Sequence, residues 1–179
     1  MLAGSGRAAC GILAGRAHKL VGAVAFALVT ALLAVPAQAG KVVEVELVSD
    51  VESGRFEFVP PIVRIEVGDR VRFVASSRVH STRSIVGMLP PAGKRWKSAL
   101  GHSVTVTFPA EGVYGFQCPA YYQMGMVGLV LVGHSMRNWA DAQRVRHPDA
   151  AASRFEQLFT IAACMLAGRT AQACGAAGW

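Results

Sequence analysis

Between Lys41 and about Gly133 the sequence is a succession of short segments that alternate apolar with charged or polar residues. "VVEVELV", "VRIEV" and "SVTVTF" show this period of two, which is typical of strands with one buried face. "GMVGLVLVG" is almost continuously apolar instead, as expected of a strand buried on both faces. Turn sequences such as "GDR" and "PAEG" separate the segments. About seven short strands at this spacing predict an all-β fold, a small sandwich or barrel.

After Gly133 the apolar residues recur at helical spacing. Ser135 is a candidate N-cap for a first helix, and Pro148 followed by Asp149 marks the start of a second one. The second helix carries an apolar stripe formed by Phe155, Leu158, Phe159, Ala162 and Met165. Such a stripe either covers an open end of the sandwich or binds a partner, and covering is the more common use.

The first 39 residues have the pattern of a secretory signal peptide. Arg7, Arg16 and Lys19 precede an apolar run from Leu20 to Val35, and "PAQAG" supplies small residues for cleavage before Gly40. A membrane anchor is the alternative, but the run of 16 residues is short for a bilayer, which needs about 20. The residue directly after the predicted cleavage site is Gly40 and not cysteine, so a bacterial lipid anchor is not indicated, and no Arg-Arg pair precedes the apolar run. We therefore expect export to the periplasm.

This pattern divides the chain into a signal peptide over 1–39, a β-sandwich over 40–133 and a helical extension over 134–179. Three of the 18 basic residues and none of the 11 acidic ones lie in the signal, which leaves 15 against 11 and a net charge of +4. A charge of this size favours docking onto an acidic partner. Nucleic-acid binding is not indicated, because no basic run is interleaved with aromatic residues.

Cleavage also removes Cys10 and leaves Cys118, Cys164 and Cys174. An odd number of cysteines in an exported protein implies a free thiol, a metal ligand or an intermolecular bridge. Cys164 and Cys174 are close enough in sequence to pair, and Cys118 would then be the odd one. The sequence leaves that pairing open.

The segment "FQCPAYYQMGM", residues 116–126, suggests a metal site. Cys118 ends one predicted strand and Met126 begins the next, so the two sulfurs face each other across a tight turn. His80 follows the strand "RVRFVAS", in a loop that a sandwich can bring to the same end. A cysteine alone is more often buried without binding anything. One imidazole, one thiolate and one thioether, however, are three of the four ligands of a blue-copper site.

Three longer segments carry a resemblance to a known family. "EFVPPIVRIEVGDRVRFVASSRVHSTRSIVGMLP", "KRWKSALGHSVTVTF" and "EGVYGFQCPAYYQMGMVGLVLVG", with the two predicted C-terminal helices, resemble the pseudoazurins, which are periplasmic cupredoxins. The resemblance covers roughly residues 41–170. It implies a Greek-key β-sandwich with two C-terminal helices and one type 1 copper ion that cycles between Cu(I) and Cu(II). It also implies one-electron exchange with an acidic periplasmic redox protein such as a nitrite reductase or a cytochrome.

The resemblance assigns the histidine, thiolate and axial thioether ligands to His80, Cys118 and Met126. It departs from the family at Tyr121, where pseudoazurins carry their second histidine ligand. Tyr121 either ligates copper as phenolate, leaves copper held by the other three ligands, or packs in a protein that binds no copper. A free tyrosine has a pKa near 10, so ligation would require the metal to displace the proton.

Other residues near the predicted site are less decisive. His102 and His134 do not obviously replace the missing imidazole. Ser81 stands where the family has asparagine, and Pro119-Ala120 replaces Thr-Pro, so the hydrogen bonds to the Cys118 sulfur should differ from the family's. A basic ring could surround the site, although a solvated face is an equally good interpretation of these charges. The ring would consist of Arg78, Arg83, Lys94, Arg95 and Lys97. An apolar patch could lie inside it, formed by Met88, Leu89, Pro90, Pro91 and Met124.

These observations predict a monomeric periplasmic electron carrier that is free of the membrane after cleavage. The alternatives are a Cu(I) carrier or sequestering protein without redox duty, and a metal-free scaffold for protein contacts. An enzyme is not indicated, because the sequence shows no nucleophile with its base, no phosphate loop and no paired carboxylates in one motif.

Overall fold

A computed structural model describes residues 40–50 and 52–175. The predicted signal peptide therefore lies outside the described residues. Within the described ranges, no helix combines the length and the hydropathy needed to cross a membrane.

Eight strands and two α-helices form the framework of the described chain. In chain order the strands are β1 (Val42–Asp50), β2 (Arg55–Val59), β3 (Ile62–Ile65), β4 (Arg70–Ala75), β5 (Arg83–Ser84), β6 (Val104–Thr107), β7 (Gly112–Gln117) and β8 (Val127–Val132). The helices are α1 (Trp139–Arg144) and α2 (Asp149–Leu166). The strands form two four-stranded sheets, ordered β2-β1-β4-β6 and β3-β8-β7-β5.

The first sheet follows the alternation in the sequence. β1 runs parallel to β4, with Val45 opposite Phe73. The residues of this sheet that face the second sheet are apolar and buried, among them Leu47, Phe58 and Val71. Polar neighbours such as Arg72 lie on the exposed face, where its guanidinium bonds Glu44 at 3.0 Å. A period of two thus puts one face into the core and leaves the other in water.

Two of the eight strands are absent from the sequence prediction. β5 has two residues, too few for any period to show. β2, "RFEFV", does alternate, but it is short and runs directly into Pro60 and Pro61, which suggest a turn. Pairing with β1 makes this segment a strand, with Phe56 opposite Ser49. Such pairing depends on the tertiary fold and is only weakly encoded by local preference.

The central strands of the second sheet, β7 and β8, are buried on both faces, as the continuous apolar run of β8 predicts. All six residues of β8 are buried. Val130 and Val132 point into the sandwich, whereas Leu129 and Leu131 point toward the helices. This division explains why β8 lacks the alternation of the first sheet.

The apolar stripe of α2 covers the outer face of the second sheet. Phe155, Leu158, Phe159 and Ala162 are buried in one cluster with Leu129 of β8 and its outward neighbours, and Met165 packs at the edge of that cluster. The expectation that the stripe covers an open end of the sandwich is therefore wrong, because the stripe covers a face of the second sheet. The stripe packs within the chain, and a partner is not needed to bury it.

The predicted N-cap of the first helix is also wrong. α1 begins at Trp139, and Asn138, not Ser135, occupies the capping position without a side-chain cap bond. The Asn138 side chain bonds β7 instead: it accepts from the Val113 N–H at 2.9 Å and donates to the Val113 carbonyl at 2.7 Å. These bonds fasten the connection between sandwich and helices, and the helix starts only after it.

A disulfide joins Cys164 to Cys174, with 5.7 Å between the Cα atoms. The bridge ties the segment after α2 back onto that helix. Cys118 is the free and buried cysteine of the described chain.

Candidate metal centre

Cys118 and Met126 flank the loop that connects two neighbouring antiparallel strands. β7 and β8 pair with Gln117 opposite Val127. Cys118 follows Gln117 and Met126 precedes Val127, so both lie where the loop leaves the paired strands. The Cys118 N–H donates to the Met126 carbonyl at 3.0 Å. Both side chains are fully buried in the main core cluster. The two sulfur-bearing residues are thus brought together by strand pairing, as the sequence predicts.

His80 reaches this end of the sandwich from the loop between β4 and β5. Its carbonyl accepts from the Gly101 N–H at 2.7 Å. Two residues further on, Thr82 and Ser98 bond each other: the Thr82 N–H donates to the Ser98 hydroxyl, and the Ser98 N–H donates to the Thr82 carbonyl. These bonds fix the loop, and they present the His80 imidazole to the interior.

The His80 imidazole lies beside the Cys118 sulfur, with Nδ1 as the nearer of its two ring nitrogens. Nδ1 is 3.7 Å from Cys118 Sγ, and His80 is fully buried. Nε2 is buried without a hydrogen-bond partner in the described structure. Burial lowers the pKa of His80, because loss of water disfavours the imidazolium ion. The neutral imidazole is the form that binds metals.

These residues fit a copper ion. First-row metal bonds are about 2.0 Å to imidazole nitrogen and about 2.3 Å to thiolate sulfur, as zinc sites illustrate. One ion can therefore contact two atoms that are 3.7 Å apart. Thiolate and thioether sulfur select copper over harder ions, and imidazole binds both of its oxidation states. The donor types of His80, Cys118 and Met126 suit copper, and the spacing of His80 and Cys118 allows one ion to contact both.

Tyr121 lies at the edge of this centre with its backbone held on both sides. Its N–H donates to the Cys118 carbonyl at 3.2 Å, and its carbonyl accepts from the N–H groups of Met124 and Met126 at 3.1 Å each. Its half-buried ring contacts the His80 ring, with centroids 5.1 Å apart. The structure therefore brings Tyr121 together with the three predicted ligands.

The other histidines do not complete the centre. Across the described ranges, no three His, Cys, Asp or Glu side chains form a group that could hold a metal. His102 is exposed. His134 lies past the opposite end of β8, about 20 Å along a six-residue strand, where Nδ1 is 3.3 Å from an Arg64 nitrogen. Neither histidine replaces the imidazole missing at position 121.

Sequence reasoning missed a contact between the loop and the helical extension. The Tyr122 hydroxyl lies 2.6 Å from His147 Nδ1, and the His147 ring packs on Phe155 at 4.3 Å. Burial raises the pKa of Tyr122 and lowers that of His147, so both side chains are held neutral. The two residues are 25 positions apart, and no motif or period connects them.

Gly125 provides a second contact with the helical extension, at the start of α2. Its φ is +86°, and a Cβ at this position would lie 3.1 Å from the carbonyl oxygen of Ala150, in the first turn of α2. A glycine is favoured here both by the left-handed backbone and by the close approach. Through Tyr122 and Gly125, α2 and the turn before it therefore support the loop that carries Cys118 and Met126.

The predicted surface features agree with the structure only in part. All five residues of the predicted basic ring are exposed, and Arg83 and Lys97 are neighbours across a β-bridge. The predicted apolar patch is wrong for Met88 and Pro90, which are buried. Met88 packs against Gly115 of β7, so the loop folds inward at this point.

Other apolar side chains are exposed beside the candidate centre. Val79, next to His80, is 47% exposed, and Leu100, next to the Gly101 that bonds His80, is 62% exposed. Met124 of the Cys118–Met126 loop is 54% exposed. Met124 belongs to the predicted patch and is exposed as expected, and Val79 and Leu100 add to the apolar surface near the centre.

Comparison with known proteins settles the family. The sequence model of the family described as "Copper binding proteins, plastocyanin/azurin family" matches residues 45–133. A pseudoazurin of Methylorubrum extorquens is 35% identical over 144 residues, which are 80% of this chain and 95% of that protein. The chain belongs to the pseudoazurin family. A second pseudoazurin, of Paracoccus pantotrophus, is 36% identical over 113 residues, or 63% of this chain and 78% of that one.

Solved structures agree. The crystal structure of pseudoazurin from Methylobacterium extorquens AM1 superposes with a TM-score of 0.63 at 35% identity, covering 66% of this chain and 97% of that one. A pseudoazurin from Sinorhizobium gives a TM-score of 0.63 at 30% identity, covering 67% and 94%. The predicted cupredoxin sandwich with two C-terminal helices is confirmed. Pseudoazurins bind one copper ion and carry electrons, so this family member is a copper-binding electron carrier and not an enzyme.

Proposed function

We propose that this pseudoazurin homologue is an exported one-electron carrier whose copper ion is held by His80, Cys118 and Met126. The observation that carries the proposal is the buried pair of His80 Nδ1 and Cys118 Sγ, 3.7 Å apart, at the mouth of the hairpin that also holds Met126. The bound copper ion supplies one-electron chemistry between Cu(I) and Cu(II).

Each of the three residues has a distinct part in this proposal. The Cys118 thiolate is the strong soft donor, because the thiolate form is the one that binds metals. The His80 nitrogen supports Cu(II), which prefers nitrogen over sulfur, and Met126 is the weak axial donor. All three are buried, so water is kept from the centre and the ligands need little rearrangement when an electron is transferred.

The surface supports docking with an acidic redox protein. Val79, Leu100 and Met124 form the apolar surface near the centre, and the predicted basic residues are exposed on the sandwich. Positive charge steers an acidic partner into a fast, transient encounter, and its effect weakens as salt is added. We propose a periplasmic nitrite reductase or cytochrome as the partner and a monomer as the working form.

The proposal includes the processing of the chain. Residues 1–39 act as a signal peptide that directs the protein to the periplasm, 40–133 form the copper-binding sandwich, and 134–179 form the helical extension. The charged start, apolar middle and small-residue cleavage site support the first of these assignments. The contacts of Tyr122 and Gly125 with α2 and its preceding turn support a helical extension that belongs to the working unit.

Copper titration of the exported protein tests the proposal. We expect one copper per chain, a thiolate-to-copper absorption in the visible range, an electron spin resonance signal of oxidised copper and a reversible reduction potential. Cys118→Ser should abolish the absorption, and Tyr121→His should make it more intense. A fully loaded, oxidised protein without visible absorption would refute a thiolate-bound redox centre.

A second function is favoured by one observation, the absence of a second imidazole at the centre among the described residues. One nitrogen and two sulfur donors suit Cu(I) better than Cu(II), so the protein could hold Cu(I) without passing electrons. Stopped-flow mixing with a reduced cytochrome separates the two functions. Rapid, salt-dependent oxidation of the cytochrome by the copper-loaded protein identifies a carrier of electrons, whereas tight Cu(I) binding without exchange identifies a carrier of copper.

A further inference from the structure

Phe56 and Tyr121 form a stacked pair at the edge of the candidate metal centre. Their ring centroids are 4.2 Å apart, and their planes are within 12° of parallel. Phe56 lies on β2 of the first sheet, opposite Ser49 of β1, whereas Tyr121 lies on the loop between β7 and β8 of the second sheet. The stack therefore joins the two sheets at the end of the sandwich where His80 and Cys118 lie.

Tyr121 is held between Phe56 and His80. Its contact with the His80 ring is tilted by 51° at 5.1 Å between centroids, and its contact with Phe56 is nearly parallel. Both its N–H and its carbonyl are bonded within the loop. Because the backbone is fixed, only the two side-chain torsions of Tyr121 can move the phenol, and Phe56 occupies the space on one face of the ring.

The side chains of the stacked pair are more exposed to solvent than the candidate ligands beneath them. His80, Cys118 and Met126 are fully buried, whereas Phe56 and Tyr121 are half-buried. Phe56 and Tyr121 also pack directly on the core cluster that contains both sulfur residues. The stacked pair therefore forms a layer between the candidate ligands and solvent.

We propose that Phe56 is a positioning residue that holds Tyr121 as a cover over the copper centre and keeps the phenol from acting as a ligand. This inference rests on the proposed function, since it concerns the same three ligands. The parallel stack fixes the orientation of the Tyr121 ring, and any reorientation of the phenol would lose a contact that stabilises aromatic pairs beyond their buried area. The cover shields the ion from water and leaves His80, Cys118 and Met126 as its ligands.

The first test needs no metal. The exported, copper-free protein is treated with iodoacetamide, and alkylation of Cys118 is followed by peptide mass spectrometry. We expect Phe56→Leu to raise the alkylation rate about tenfold, and Phe56→Trp, which keeps an aromatic face, to stay within about twofold of the wild type. Phe56→Met keeps length and apolarity without a ring and is the second variant, should Phe56→Leu fail to fold. An unchanged rate in the folded ring-deleted variants would overturn the inference.

The second test asks whether the phenol binds copper. Resonance Raman spectra of the Cu(II)-loaded wild type should show thiolate modes without tyrosinate modes. Tyrosinate modes should be present in Phe56→Leu and disappear in Phe56→Leu/Tyr121→Phe, which has no phenol oxygen to offer. Tyrosinate modes in the wild type would show that Tyr121 is a ligand and would overturn the inference.

The two tests separate this inference from the proposed function. If copper does not bind, or if binding is unaffected by Cys118→Ser, the proposed function fails, although the alkylation rates still report on the cover. If copper binds through Cys118 and the rates do not respond to Phe56, only the role of Phe56 fails.

Discussion

The contact between Tyr122 and His147 should stabilise both the fold and the copper loop, and its contribution can be measured. Tyr122→Phe removes a hydroxyl that lies 2.6 Å from His147 Nδ1. A partly buried nitrogen then loses its partner, and leaving a buried polar group without a partner costs about 1 to 3 kcal/mol. We expect the free energy of unfolding to fall by about 2 kcal/mol. His147→Phe keeps the packing on Phe155 and removes the same bond from the other side.

The assay is a double-mutant cycle from urea unfolding of the copper-free protein at pH 8, where both imidazole and phenol are neutral. Tyr122→Phe combined with His147→Phe should cost less than the sum of the single changes by about 1 kcal/mol. Tyr114→Phe is the matched control, because it removes a phenol that donates to the Ala110 carbonyl at 2.8 Å, away from the loop. It should reduce stability and leave the copper absorption unchanged, whereas Tyr122→Phe should shift that absorption. Additive single changes would refute the hydrogen bond.

Two further predictions concern stability. The Cys164–Cys174 bridge spans 10 positions, and its reduction should lower the free energy of unfolding by about 3 kcal/mol, because the unfolded chain regains the entropy of an open loop. Urea unfolding curves with and without reductant measure this change, and equal midpoints would refute it. Burial lowers the pKa of both His80 and His147 from the ordinary 6.5, so below that pH the unfolded chain takes up protons that the folded chain resists. Stability of the copper-free protein should therefore fall as the pH drops below 6.5, by at most about 1.4 kcal/mol per pH unit for each histidine, and a flat profile between pH 7 and 5 would contradict this.

The parts of the centre that depend on strand pairing could be predicted from the sequence. Cys118 and Met126 flank a short loop between two apolar strands, and any hairpin brings such residues together. The position of His80 depends on a loop between the two sheets, which residue spacing does not determine, so its place in the centre is indicated only by the resemblance to pseudoazurins. The fold class followed from the period of two in strands such as β1 and from the helical spacing after Gly133.

The contacts that support the centre could not be predicted from the sequence. Phe56 lies in a strand that forms only by pairing with β1, and its stacking on Tyr121 joins segments 65 positions apart. His147 precedes a helix and has no local feature that points to Tyr122. Met88 was expected at the surface because it belongs to a loop rich in proline and glycine, yet it fills the space beside Gly115. Contacts of this kind depend on side-chain packing between distant elements, which periodicity does not encode.

The exchange of histidine for tyrosine at position 121 leaves the scaffold of the loop in place. The bonds that shape the loop run between backbone groups of Cys118, Tyr121, Met124 and Met126, and its outer support comes from Tyr122 and Gly125 on the side of α2. None of these bonds uses the side chain of residue 121. An imidazole at that position would therefore meet a loop that is already shaped around His80 and Cys118, and it would face Phe56 in place of the phenol. For this reason the change at Tyr121 alters the chemistry of the centre much more than its geometry, and Tyr121→His should restore a fourth ligand with little change in the fold.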